Sequence, residues 1–230
     1  MTPHDAEPVD PARRREIVSA VLTLAAAVGL VGLVFGVGCV AAGASVTQTC
    51  VMSLLVFTGA SQFSLVSEVA SGSTGAAALG GAVLLSARNT VYGLAMSRVV
   101  TGSLGIRLLA AQLTIDESTA VAAAQPDPAS RRLAFWLTGG SIYVFWNIAT
   151  LVGALIGSGV DIQTWGLDVA FPAAFVAMLA PHLRTRRGLV AGLLGAVICL
   201  SLIPLTPAGV PVLCAAAAIL IGLEHPGAAR

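Results

Sequence analysis

Long uninterrupted apolar runs recur along this chain and constrain its fold more than any other feature; the first extends from Ile17 to about Ala42. A run of about 18 or more apolar residues is long enough to cross a hydrocarbon core about 30 Å thick as an α-helix. Only 10% of the 230 residues are charged and 57% are hydrophobic, whereas soluble domains have about 25% charged residues. The sequence therefore predicts an all-α integral membrane protein.

Eight segments follow from the apolar runs and the polar stretches between them. They cover about residues 17–42, 48–70, 76–100, 105–124, 133–156, 165–182, 189–203 and 210–223. The fourth segment contains Asp116 and Glu117, which favours a buried, tilted or re-entrant helix, and Pro172 interrupts the sixth. Since one of the two short final segments could fail to span, we expect a polytopic bundle of about seven or eight transmembrane segments, some of them broken or re-entrant.

The domain organisation follows from the same pattern. Residues 1–16 are expected to form a disordered cytoplasmic N-terminus, residues 17–224 a single transmembrane transporter domain, and residues 225–230 a C-terminal tail. Residues 125–132, with two prolines and an Arg pair, form the clearest loop between segments.

Three arginine clusters predict the orientation. They are Arg13 to Arg15, Arg131 with Arg132, and Arg184 with Arg186 and Arg187. Arg-rich short loops lie on the cytoplasmic side of membranes. Four segments separate the first two clusters and two more precede the third, so all three fall inside and the N-terminus is cytoplasmic. Arg98 and Arg107 would lie outside, which conflicts mildly with this topology.

Arg88 is the residue of the third segment whose insertion into the membrane costs the most free energy, because a charge near the bilayer centre costs at least about 2.5 to 3.5 kcal/mol. Asn89 follows it, and Tyr92 lies one helical turn later on the same face. In one interpretation these side chains line an aqueous cavity where the guanidinium binds a carboxylate in bidentate fashion. In the other, Arg88 is structural and pairs with an acidic residue of a neighbouring helix.

Three acidic residues are further pathway candidates. Asp116 and Glu117 point about 100° apart on a helix, so one is expected to pair with Arg88 while the other takes protons or a substrate ammonium. The alternative is that both are solvated near the interface. Asp168 precedes Pro172, which would leave backbone carbonyls free near a carboxylate, as in discontinuous transporter helices; otherwise Asp168 is a helix N-cap.

Gln62 and Phe63 lie in a stretch of small residues where a ligand or another backbone could come close. The Gln62 amide can line the pathway or form an interhelical hydrogen bond, and Phe63 is suited to an apolar pocket. Gly32 and Gly36 form a GxxxG pair, which lets two helices approach closely in lipid. We assign these two glycines and Gly59 to helix packing.

Catalytic and metal sites are not expected. The four cysteines fall in apolar segments without a CxxC pair, which is typical of buried fillers. Ser61 has no intramembrane histidine to activate it, since His4 and His225 are terminal and His182 ends a segment. We therefore predict a protein that is not an enzyme and holds no cofactor and no metal.

Six stretches in order resemble the AzlC family, the large subunits of bacterial branched-chain amino acid exporters. They are GLVFG (Gly32–Gly36), FTGASQF (Phe57–Phe63), SARNTVYGLAMS (Ser86–Ser97), LTIDES (Leu113–Ser118), Trp146–Gly157, and WGLDVAFPAAF (Trp165–Phe175). Two departures stand out: Asn89 occupies a position where many members have His, and Ile115 separates Thr114 from Asp116. Asn89 therefore cannot carry a proton as a histidine there would.

The resemblance implies export of valine, leucine, isoleucine or a similar small apolar amino acid from the bacterial cytoplasmic membrane. It also implies a second, small hydrophobic subunit of the AzlD type as partner, and no nucleic acid. A non-transporting accessory subunit, or a transporter of a different small metabolite, remains the alternative.

Overall fold

The computed structural model describes residues 9–159, 176, 179–180, 182–206, 210–215 and 218. These residues form ten α-helices and one 3-10 helix, His182–Arg184, and no strand. The α-helices are α1 (Pro11–Ala41), α2 (Val46–Leu55), α3 (Ala60–Ala70), α4 (Gly75–Ser86), α5 (Arg88–Met96), α6 (Leu104–Gln112), α7 (Asp116–Ala123), α8 (Pro128–Gly159), α9 (Arg186–Leu202) and α10 (Val210–Ala215). The predicted all-helical class is confirmed for the described part of the chain.

Helices α1 and α8 are the two described helices that are both long and apolar enough to cross a membrane. They have 31 and 32 residues, and at about 1.5 Å per residue each exceeds a hydrocarbon core of about 30 Å. The helices from α2 to α7 have 8 to 12 residues each and are individually too short. The count of seven or eight spanning segments therefore stays a prediction.

Helix α1 begins at Pro11, so the prediction that residues 1–16 are disordered is wrong for residues 11–16. Three local features start the helix early. The Asp10 side chain accepts a hydrogen bond from the Arg13 N–H, Pro11 supplies a fixed φ at the first helical position, and Arg13 forms an ion pair with Glu16 at 3.0 Å. In the same way α8 begins at Pro128, inside the predicted loop 125–132, because Asp127 accepts from the Ser130 N–H at 2.8 Å.

Helices α1 and α8 pack in parallel through their glycines. A Cβ added to Gly32 would lie 3.0 Å from the Trp146 carbonyl oxygen, and one added to Gly36 would lie 2.7 Å from the Ala154 nitrogen. Farther along both helices, Gly157 meets Val37. Because residue numbers increase in the same direction along α1 and along α8 at these contacts, the two helices run parallel. Small residues at these positions let the two backbones approach to a distance that any side chain would prevent.

The parallel pairing places two arginine clusters at the same end of the molecule, because α1 and α8 both begin there. Arg13 to Arg15 lie in the first turn of α1, and Arg131 and Arg132 in the first turn of α8. An odd number of crossings must connect the end of α1 to the start of α8, which is compatible with the three segments predicted between them.

Each of these three intervening segments is interrupted, whereas the sequence predicts some broken or re-entrant segments without placing a break in the second or third. Segment 48–70 divides into α2 and α3 at residues 56–59, segment 76–100 divides into α4 and α5 at Ala87, and segment 105–124 divides into α6 and α7 at residues 113–115. The first break has a clear cause at Gly59, whose φ of +63° favours glycine. Apolar composition alone did not reveal these breaks.

Small polar side chains are buried inside this bundle beside its apolar core, and many large apolar side chains are exposed on its outer surface. Thr49, Ser53 and Thr150 are fully buried, and Ser53 Oγ donates to Asn147 Oδ1 at 2.8 Å while Thr150 Oγ1 donates to the Gly32 carbonyl at 3.3 Å. Leucine and valine side chains face outward along every long described helix. Exposed leucine and valine side chains together with buried, hydrogen-bonded hydroxyls suit a protein whose solvent is lipid.

The C-terminal third is described only in part. Helix α9 spans the predicted seventh segment, 189–203, and packs against α10 at Gly195. Helix α10 covers the start of the predicted eighth segment, 210–223. Most of the predicted sixth segment, 165–182, lies outside the described residues, together with its Asp168 and Pro172.

Candidate functional site

The three helix breaks meet at one side chain, that of Arg88. Arg88 is the first residue of α5, directly after the break at Ala87. Its Nη2 lies 3.4 Å from the carbonyl oxygen of Thr58, in the break between α2 and α3, and 3.5 Å from Asp116 Oδ1, at the start of α7. One guanidinium therefore joins three segments that are widely separated in sequence.

Helices α3 and α7 begin beside this guanidinium, so their N-terminal ends converge, whereas α5 follows α4 through Ala87, whose φ of −57° and ψ of −29° are helical. The partial positive charge at a helix N-terminus favours nearby anions. Asp116 and Glu117 occupy the first turn of α7 and supply the negative charge. The result is a compact arrangement of one guanidinium, two carboxylates and two helix N-terminal ends.

A cavity of about 170 Å³ opens at this point. Its polar edge is made by Thr58, Gly59, Arg88, Asp116 and Glu117. Its apolar wall comes from both long helices and from the first break, through Val28, Val31, Phe57, Ile142 and Trp146. A cation, two anions and an apolar surface therefore line the same small cavity.

Side chains form hydrogen bonds with the backbone groups at the end of α2 and at the start of α3. These bonds matter because unpaired backbone groups cost free energy in a protein embedded in lipid. The Leu54 carbonyl accepts from Tyr143 OH and from Gln112 Nε2, both at 3.0 Å. On the other side of the break, Gln62 Oε1 accepts from the Gly59 N–H at 3.1 Å and the Thr58 N–H at 3.4 Å. These bonds hold the break open as a defined structure.

The break before α7 is held by Ser118. Its Oγ accepts from the Ile115 N–H at 3.0 Å and donates to the Leu113 carbonyl at 2.8 Å. Ser118 is fully buried, so no solvent could replace these bonds. They fix Asp116 and Glu117 at the start of the helix, next to Arg88.

Two predicted pathway residues lie behind the cavity rather than on its wall. Gln62 is fully buried and caps α3 as described, although its Nε2 has no partner among the described residues. Phe63 is also fully buried, with its ring centroid 5.3 Å from that of Phe35 and 6.3 Å from that of Trp146. Both residues support the wall of the cavity from behind.

Asn89 and Tyr92 are half-buried on α5, and neither belongs to the cavity wall in the described part of the chain. The expected grouping of Tyr92 with Arg88 is therefore not seen at this cavity. Asp168, the remaining predicted pathway residue, lies outside the described residues. Among the described side chains, no group of three His, Cys, Asp or Glu residues could hold a metal ion.

The three glycines assigned to packing separate into two kinds. Gly32 and Gly36 lie against the backbone of α8, whereas a Cβ on Gly59 would meet no atom of the described residues within 4 Å. The assignment of Gly59 to helix packing is therefore wrong. Its position requires glycine because of its positive φ at the break, which is a backbone requirement.

Several residues of the site were not found from the sequence. Thr58, Val28, Val31 and Ile142 give no local signal, because one Thr and three aliphatic residues are ordinary in a membrane helix. Trp146 gives no such signal either, because tryptophan in a membrane protein is most typical of the membrane interface. It is instead 3% exposed, in the middle of α8.

The family comparison covers most of this arrangement. Residues 23–160 match the family model described as AzlC protein, which is more than half of the chain and includes all three helix breaks and the cavity wall. The match confirms the family expected from the motifs, although it ends before the stretch Trp165–Phe175. No curated protein and no solved structure matches the chain.

Proposed function

The chain belongs to the AzlC family of membrane proteins, whose role is in transport, and on that premise we propose that it exports branched-chain or similar small apolar amino acids. It does so across the bacterial cytoplasmic membrane, with its N-terminus in the cytoplasm, together with a small hydrophobic partner subunit of the AzlD type. The proposal involves no enzymatic reaction.

One observation carries the proposal: the cavity combines a guanidinium, two carboxylates and an apolar wall. An amino acid is a zwitterion, so its carboxylate needs a cation and its ammonium needs an anion. Arg88 can bind the carboxylate, and Asp116 or Glu117 can receive the ammonium. The aliphatic side chain then lies against Val28, Val31 and neighbouring wall residues, where removal of apolar surface from water favours binding.

The broken helices support a transport role for the same cavity. In transporters, discontinuous helices place their ends around a substrate near the bilayer midplane. Here three consecutive segments break at the same place, and each pair of short helices would cross the membrane together. Arg88 and Asp116 then lie at the level where a charge is most costly and a functional role is the default hypothesis.

A non-transporting accessory subunit is the second candidate, and the ion pair between Arg88 and Asp116 favours it. A guanidinium that already has an acidic partner at 3.5 Å can be purely structural. However, the side chains of Arg88 and Asp116 are 34% and 43% exposed, which leaves both accessible from the cavity.

The test is efflux of preloaded labelled valine, leucine, isoleucine and methionine from cells expressing this chain with and without the small partner. We expect efflux that requires both chains. If no amino acid leaves the cells although both chains are inserted in the membrane, the export proposal is rejected and the accessory function is favoured.

A further inference from the structure

The part of the cavity wall contributed by α8 consists of two large side chains, Ile142 and Trp146. They lie one helical turn apart, so they project from the same face of the helix. Ile142 is 1% exposed and Trp146 is 3% exposed, although both line the cavity. They are therefore packed on all other sides.

The side chain of Trp146 is packed so closely that it has no space to move away from the cavity. Its ring packs against Phe35, with centroids 5.7 Å apart, and against Phe63. A Cβ added to Gly32 of α1 would lie 3.2 Å from Trp146 Cδ2, so the α1 backbone lies directly against the indole. Interiors packed in this way respond to a larger ligand by strain and not by yielding.

Helix α8 differs from the helices that carry the charged residues, because it continues unbroken for 32 residues. Arg88, Asp116 and Glu117 stand at the starts of helices of only 9 and 8 residues. Ile142 and Trp146 stand in the middle of a continuous helix packed closely on α1. The α8 side of the cavity is therefore its least adaptable side.

The volume of the cavity matches a compact molecule. An engineered apolar cavity of about 150 Å³ binds benzene, which gives a scale for the present cavity of about 170 Å³. A small branched amino acid is of this size, whereas phenylalanine adds a full aromatic ring to the amino acid backbone. A side chain that is directed toward α8 and is too large would have to displace Ile142 or Trp146.

We propose that Ile142 and Trp146 of α8 set the upper size limit of the exported side chain, and thereby exclude aromatic amino acids. The inference rests on the proposed export function and concerns the selectivity of the same cavity. It assigns the size selectivity of the cavity to two large side chains. In the described part of the chain, neither of them forms a hydrogen bond with Arg88, Asp116 or Glu117.

The experiment compares efflux of labelled phenylalanine and labelled valine from cells that express this chain with its small partner. Replacing Ile142→Ala enlarges the cavity, and we expect the ratio of phenylalanine to valine efflux to rise about tenfold, since misfit by a single methylene group already changes selectivity by roughly 10-fold or more. The matched control is Ile148→Ala, the same change on the same helix at a residue that is 59% exposed and not in the cavity wall. The control is expected to keep the wild-type ratio.

A second pair of variants keeps the test decisive if Ile142→Ala is not inserted. Ile142→Val removes one methylene group and Trp146→Phe reduces the indole to a single ring, and both should raise the same ratio severalfold. If the wild type exports valine and the inserted variants keep its ratio, the inference is overturned while the export function stands. If the wild type exports neither amino acid, the inference fails together with the proposed function.

Discussion

The guanidinium of Arg88 lies 3.5 Å from the carboxylate of Asp116, and this ion pair joins the first residues of two helices that start at the same cavity. The pair makes the three helix breaks interdependent, because Arg88 also donates to the Thr58 carbonyl. It gives the cavity one side chain for each charge of an amino acid.

Replacing Arg88→Ala should abolish export while the protein still inserts. The change removes the cation for the carboxylate and the group that links the three breaks. Labelled valine efflux and the amount of protein in isolated membranes measure the two effects. Arg98→Ala is the matched control, since Arg98 is an exposed arginine just after α5, and it should keep wild-type efflux. Normal export by an inserted Arg88→Ala variant would remove Arg88 from the mechanism.

Exchanging the charges separates a structural ion pair from a substrate-binding one. Asp116→Arg alone would place two cations side by side and should reduce both insertion and export. Adding Arg88→Asp re-forms an ion pair with the opposite polarity, so we expect membrane levels to recover. Export should stay low, because the cation would now lie beside Glu117. Recovery of export along with the membrane level would mean that the pair acts only in assembly.

Gly36→Ala should destabilise the packing of α1 on α8. Its methyl group would come within 2.7 Å of the Ala154 nitrogen, and such overpacking costs about 1–3 kcal/mol. The apparent Tm of the purified protein in detergent should fall. Gly140→Ala on α8 is the control, and its Tm is expected to rise: a Cβ there meets no atom of the described residues within 4 Å, and alanine favours a helix over glycine. Equal Tm values for the two variants would contradict the close packing.

Gly59→Ala should lower both the apparent Tm and export, although a methyl group there would not touch any of the described residues. The cost is conformational: a non-glycine residue at φ +63° is strained by about 1–3 kcal/mol. Gly43→Ala provides a comparison. Gly43 also has a positive φ, but it lies just after α1 and is separated in the sequence from the break at Gly59. We expect it to lower Tm while export per inserted molecule is retained. If Gly59→Ala behaves in the same way as Gly43→Ala, the break is not important for transport.

Single cysteines can test the parallel arrangement of α1 and α8. In a variant without native cysteines, Ala12→Cys and Pro126→Cys lie near the starts of the two helices and Thr47→Cys lies beyond the end of α1. A membrane-impermeant thiol reagent added to intact cells should label Thr47→Cys and leave the other two unlabelled. Labelling of only one of Ala12→Cys and Pro126→Cys would contradict the parallel pairing of the two helices.

The sequence by itself determined the membrane character and the family, and it limited the expected partner of Arg88 to Asp116 or Glu117. Apolar runs as long as 17–42 have few alternatives in water, and a charge such as Arg88 within such a run requires a partner or a function. The GxxxG spacing of Gly32 and Gly36 also indicated a close approach, because only small residues permit one. These features depend on composition and on contacts within one helix, so they can be read along the chain.

Only the tertiary structure decided where the helices break and which residues share the cavity. The break at Gly59 is held by hydrogen bonds from Tyr143 and Gln112 to the end of α2, and these partners are distant in sequence. For the same reason Ile142 and Trp146 gave no sign of lining a site, since their role depends on α1 and α3 packing beside them. Local pattern specifies which segments enter the membrane, whereas the positions of breaks and cavity walls depend on free energies shared between segments far apart in the chain.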